Sequence, residues 1–77
     1  MIKYKIFHAF LDIKDSAEKQ QDILDELTER IENFKIDNPI RVEALTQSES
    51  LNKTKCHITI MIDYIFNEDI KRMEILN

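Results

Sequence analysis

The chain contains no glycine, and over 77 residues that absence removes whole classes of chemistry. A phosphate-cradling loop, a dinucleotide fingerprint and the strained G-x-S-x-G elbow of a hydrolase all need glycine where the backbone turns sharply or approaches a ligand. Tryptophan is also missing, while proline and cysteine occur once each, as Pro39 and Cys56. A single cysteine excludes an internal disulfide and the paired-cysteine knuckles of a zinc finger, and it fits a reducing cytoplasm. There is no run of about 18 apolar residues. The N-terminus alternates lysine with apolar residues, so neither a membrane span nor a secretory signal is expected.

What is present is the balance of a folded domain, with 43% hydrophobic and 34% charged residues. A chain of this length forms one domain, residues 1–77, and buries only roughly 60% of its unfolded surface. A catalytic cleft with its own lid does not fit that size, and a non-enzymatic protein is expected. The net charge of −4 is unevenly placed. Residues 16–34 hold Glu18, Asp22, Asp25, Glu26, Glu29 and Glu32 against Lys19 and Arg30, which accounts for the whole excess. The remainder is neutral overall, so general nucleic-acid binding, which needs clustered and uncompensated Lys and Arg, is not expected.

Hydrophobic periodicity predicts the elements. Residues 1–11 alternate, with Ile2, Tyr4, Ile6, His8 and Phe10 on one parity and Lys3, Lys5, Phe7, Ala9 and Leu11 on the other, which predicts a strand. Asp15 with Glu18, or its rival Ser16, starts a helix that runs to about Phe34. Its inner stripe is Ala17, Gln20, Leu24, Leu27, Ile31 and Phe34, widened by Ile23. On the outer side Glu18, Asp22, Asp25, Glu29 and Glu32 stack at spacings of three and four into one acidic ribbon. The ribbon reads either as a solvated face or as a docking surface for a basic partner.

Asn38-Pro39 stops the helix. A second strand starts at Ile40 and turns wholly polar after Leu45, and the stretch Thr46 to Thr54 reads as a long hairpin loop. The third strand carries Cys56, Ile58, Ile60, Ile62, Tyr64 and Phe66 on one parity. The tail, with Asn67 as N-cap and Ile70, Met73 and Leu76 at helical spacing, predicts a short terminal helix. The order strand, helix, strand, strand gives an α+β fold, with one amphipathic helix on one face of a three-stranded sheet and a short C-terminal helix. The apolar third strand belongs in the centre, giving the order 1-3-2.

One helix covers one face of such a sheet, and Phe7, Ala9, Leu11, Leu45, Met61 and Ile65 fall on the other parity. These six residues are the expected oligomer interface, since small domains with short cores are completed by self-association. A homodimer or higher oligomer is the expected form, the alternative being a monomer whose tail helix covers this face through Ile70 and Met73.

Chemistry-bearing residues are few. Cys56 and His57 are neighbours on a strand, so they point to opposite faces and cannot form a Cys/His pair. His8 lies on the parity read as core for its strand, where it reaches Cys56 only under a suitable register. The aromatic residues Tyr4, Phe7, Phe10, Phe34, Tyr64 and Phe66 also read as core. Two histidines and one cysteine lack any metal-site spacing, and no metal, cofactor or catalytic residue is expected.

The segments IKYKIF, the acidic helix ending in IENF (Ile31 to Phe34), IRVEALTQSES and ITIMIDY (Ile58 to Tyr64) resemble the small acidic sporulation-protein family of low-GC Gram-positive bacteria and its phage-borne relatives. The resemblance spans about residues 2–65. It rests on hydrophobic spacing and a Ser-rich hairpin. The chain differs in a longer loop after Phe10, a longer helix and an added C-terminal segment. The resemblance implies a phage or Firmicute origin, the host cytoplasm as location, and a binding role without catalytic residues. Two readings follow. One is an acidic module or inhibitor, including an anti-defence factor, that presents the ribbon to a basic host protein. The other is an oligomeric sponge that encloses an anionic nucleotide with Lys3, Lys5, Arg41, Lys53 or Lys55 near Tyr4, His8 and His57. A purely structural or regulatory oligomer is the third.

Overall fold

A computed structural model describes the backbone of residues 1–76 and the side chains of residues 1–74. The elements are β1 (Lys3–Asp12), α1 (Ala17–Asp37), β2 (Ile40–Asn52), β3 (Lys55–Phe66) and α2 (Asn67–Leu76). The strands form one sheet in the order β1-β3-β2, and both outer strands pair antiparallel to β3. The fold is α+β with the central strand where its apolar parity placed it. Leu76, included above in the apolar spacing of the tail, lies outside the described side chains.

Ser16, not Asp15, caps α1: its hydroxyl accepts from the Lys19 amide at 3.2 Å and so satisfies one of the orphan donors of the first turn. The helix runs past Phe34 to Asp37 and stops at Asn38, whose extended backbone is what a following proline imposes. The Asn38 side-chain Nδ2 donates back to the Phe34 carbonyl at 2.8 Å, which occupies one of the free carbonyls at this end.

The inner stripe of α1 packs as its spacing requires. Leu27 and Ile31 are buried, and Ile23, Leu24 and Phe34 are half-buried against the sheet. Phe34 meets Phe7 and Tyr64 edge-on, with ring centroids 5.8 and 5.4 Å apart, a geometry that sets positive ring edges on negative faces. Ile62 at the centre is 0% exposed.

The register overturns the assignment of β1. Phe7 pairs with Ile60, Ala9 with Ile58 and Leu11 with Cys56, so these residues share the face of β3 that looks at α1. Phe7 and Ala9 are buried there, and Leu11 is half-buried. Tyr4, Ile6, His8 and Phe10 occupy the opposite, open face, where Tyr4 and Phe10 stay exposed and are not core. Both parities of β1 are partly apolar, so alternation alone cannot say which one meets the helix.

The six expected interface residues therefore do not make one surface. Leu45 pairs with Ile62 on the helix side and is exposed, Met61 is half-buried on the open face, and Ile65 is buried. Ile65 sits outside the main core cluster, at the end of the sheet where α2 packs on β3.

The long hairpin loop is also corrected. β2 continues through Thr46 to Asn52, and Asn52 pairs with Lys55, leaving only Lys53 and Thr54 as the turn. Strand pairing uses backbone groups that every residue carries. A polar run lengthens a strand wherever neither face must be buried.

Candidate functional site

The acidic ribbon is real as geometry. Glu18, Asp22, Asp25, Glu29 and Glu32 are all exposed on the solvent side of α1, because Leu27 and Ile31 fix the other side against the sheet. Asp25 accepts from Gln21 Nε2 at 2.9 Å, and Glu32 pairs with Lys35 at 3.3 Å. Glu18, Asp22, Asp25 and Glu29 make no ion pair among the described residues. From Glu18 to Glu32 the row extends about 21 Å at the rise of an α-helix.

The open face carries a group that periodicity could not show. His57 lies opposite Phe10 in the β1–β3 register, and the two rings stack with centroids 4.5 Å apart and planes 9° from parallel. The His8 ring lies 5.0 Å from the same imidazole with planes 23° apart, and its Nδ1 is 2.8 Å from His57 Nε2. Cys56 faces the other way, toward α1, so neither His8 nor His57 reaches it. The only sequence signal for this stack is the shared parity within each strand. The cross-strand partner is set by register alone.

The basic residues considered for an anionic ligand do not converge within one chain. Lys3 and Lys5 lie on the helix side, with Lys3 Nζ 6.0 Å from the Phe66 ring centre and Lys5 Nζ 6.0 and 5.9 Å from those of Phe7 and Phe34. Tyr4, His8 and His57 lie on the open side. Arg41 is held by Glu43, with Nη2 and Nε at 2.6 and 2.9 Å from one carboxylate oxygen. Lys55 is held by Asp12 at 2.9 Å, at the opposite end of β3 from the residue facing Arg41. Lys53 sits in the hairpin turn with a positive φ of 58°.

A cleft of about 370 Å³ opens between α1 and the β2 side of the sheet. Leu24 and Leu27 form one wall, Cys56, Ile58 and Ile60 the floor, and Gln47 and Glu49 the rim. It exists because α1 packs chiefly over β1 and leaves β2 uncovered.

No family model, curated protein or solved structure matches the chain. Among the described residues, no helix is long and apolar enough to cross a membrane, and no group of three or more potential metal ligands occurs.

Proposed function

We propose that this protein is a small non-enzymatic binding protein that presents the outer face of α1 to a basic surface on a partner protein. The observation that supports this reading is the ribbon itself: five carboxylates in one row on a helix docked against the sheet, four of them without a counter-ion among the described residues. Like charges at these spacings cost a few tenths of a kcal/mol each. A partner bearing Lys and Arg converts that repulsion into attraction and steers the encounter. The row resembles the continuous charge of a nucleic-acid backbone, which suits an inhibitor of a nucleic-acid-handling host protein. The resemblance to the small acidic sporulation family and its phage relatives agrees with this role, and with the host cytoplasm as its place.

The test is capture from an extract of a low-GC Gram-positive bacterium, with immobilised wild type beside the triple variant Asp22→Asn, Asp25→Asn, Glu29→Gln. Exposed charges are screened over about 10 Å at 0.1 M salt and about 3 Å at 1 M. A bound protein should be released between those conditions and should not be held by the variant. Equal capture by the variant overturns the reading.

A nucleotide sponge has less support, because its cations are split between two faces or already paired with Glu43 and Asp12. Calorimetry with mono-, di- and cyclic nucleotides is expected to show no heat.

A further inference from the structure

The chain exposes more surface than its mass warrants. Its accessible area is 5874 Å², where a compact monomer of this mass exposes about 4900 Å². The excess of about 1000 Å² matches the roughly 800 Å² that each partner gives to a standard interface. The radius of gyration is 16.1 Å, against about 11.5 Å for a compact domain of this length.

Besides Tyr4, Ile6 and Phe10 on the open face of β1, the longest exposed stretch is β2. Every residue of that strand after Ile40 is exposed, including Leu45 at 55% and Leu51 at 64%. One of its edges pairs with β3 and the other is free. A free edge offers unpaired N–H and C=O groups to any other strand, and proteins usually blunt it with Pro, Lys or a bulge. β2 has Pro39 and an irregularity between Val42 and Ala44 at one end, but from Ala44 to Asn52 it carries neither Pro nor Lys. The other outer strand is treated differently: the Arg30 guanidinium donates to the His8 carbonyl at 2.7 Å.

We propose that a second copy of this chain pairs with the free edge of β2, antiparallel and about a twofold axis at Ser48, to make a continuous six-stranded sheet. That register sets Leu45 opposite the partner's Leu51, Gln47 opposite the partner's Glu49, and Thr46 opposite the partner's Ser50. The leucines meet each other and the polar residues between them meet polar ones, with Ala44 opposite the partner's Asn52 at the margin. A shift to an axis at Gln47 sets Leu45 against a carboxylate, and an axis at Glu49 sets two carboxylates together. The two leucine pairs then flank the Gln47 and Glu49 rim of the cleft. The helices end up about 24 Å apart, five strand spacings, which exceeds the screening length of about 8 Å at physiological salt. The acidic ribbons therefore do not oppose assembly. Packing the open faces together instead would bury Asp63, Thr46, Ser48 and Ser50 in a dry layer, where unpartnered polar groups are costly.

The proposal stands apart from the acidic ribbon, and the ribbon variant should keep the wild-type mass. Light scattering of the full chain should give about 18 kDa, twice the 9.2 kDa chain. Leu45→Glu with Leu51→Glu should halve that mass and leave the circular dichroism unchanged, since both residues are exposed in one chain. Ile6→Glu with Phe10→Glu should not alter it. A second measurement does not depend on that variant folding: in a Cys56→Ser background, Ser48→Cys should form a disulfide-linked dimer under mild oxidation. Cα atoms opposite each other in such a pair are about 4.5–5.5 Å apart, within disulfide reach. A wild-type mass near 9 kDa, dissociation by the Ile6/Phe10 variant instead, or no cross-link in the Ser48→Cys variant overturns the proposal.

Discussion

Lys55 Nζ donates to Asp12 Oδ2 at 2.9 Å, joining the last residue of β1 to its cross-strand partner, the first residue of β3. That bond, followed by the Lys14 amide on Oδ1 at 3.0 Å, lowers the Asp12 carboxyl from 3.8 to about 2, and the same contact raises the Lys55 ammonium above 10.5. The sign follows from linkage. The Asp12 contribution is complete above 3.8 and is lost as pH falls through about 2; that of Lys55 is complete below 10.5 and fades as pH rises through its raised value. Because the pair is exposed, salt weakens it. Carboxyl NMR titration should place Asp12 near 2 in the wild type and move it upward in Lys55→Gln. An unmoved titration would show that the pair does not form.

The Phe10–His57–His8 stack should behave as a coupled unit. Aromatic pairs add about 0.5–1.5 kcal/mol beyond area burial, and this one lies on an open face, so the low end applies. A double-mutant cycle with Phe10→Ala and His57→Ala, read by urea denaturation, should return a coupling near 0.5 kcal/mol. Strict additivity would mean the rings do not stack in solution.

Ile62→Ala should be the most damaging single truncation in the sheet. Its side chain is fully enclosed, and such a change costs about 2–5 kcal/mol. A chain of this length has only about 4–12 kcal/mol in total. Ile36→Ala, on the exposed last turn of α1, should stay within about 0.5 kcal/mol of wild type. Thermal or urea unfolding of the two variants checks the contrast, and comparable losses would contradict the burial pattern.

The hairpin turn holds a removable strain. Lys53 has φ 58°, a left-handed conformation that costs a residue with a Cβ about 1–2 kcal/mol. Glycine takes it freely and loses part of that gain to its larger unfolded entropy. Lys53→Gly should raise stability by about 0.5–1 kcal/mol, seen as a higher urea midpoint with an unchanged slope. A lower midpoint would place the turn in another conformation.

The amino-acid sequence by itself determined the elements, their order and the central place of β3. Period is a local property: Leu27 and Ile31 recur at helical spacing, and Ile58, Ile60 and Ile62 alternate without interruption on one parity. Ser16, Asn38 and Pro39 mark the ends of α1 through chemistry confined to one turn. Only the tertiary structure decided which side of β1 meets the helix, because Ile6 and Phe10 are as apolar as Phe7 and Ala9 and pairing with β3 selects between them. It also decided that Thr46 to Asn52 is strand, since a ladder is held by backbone groups that carry no side-chain signature. The Phe10–His57 contact belongs to the same class: residues 47 positions apart meet because register, a property of two strands together, brings them there.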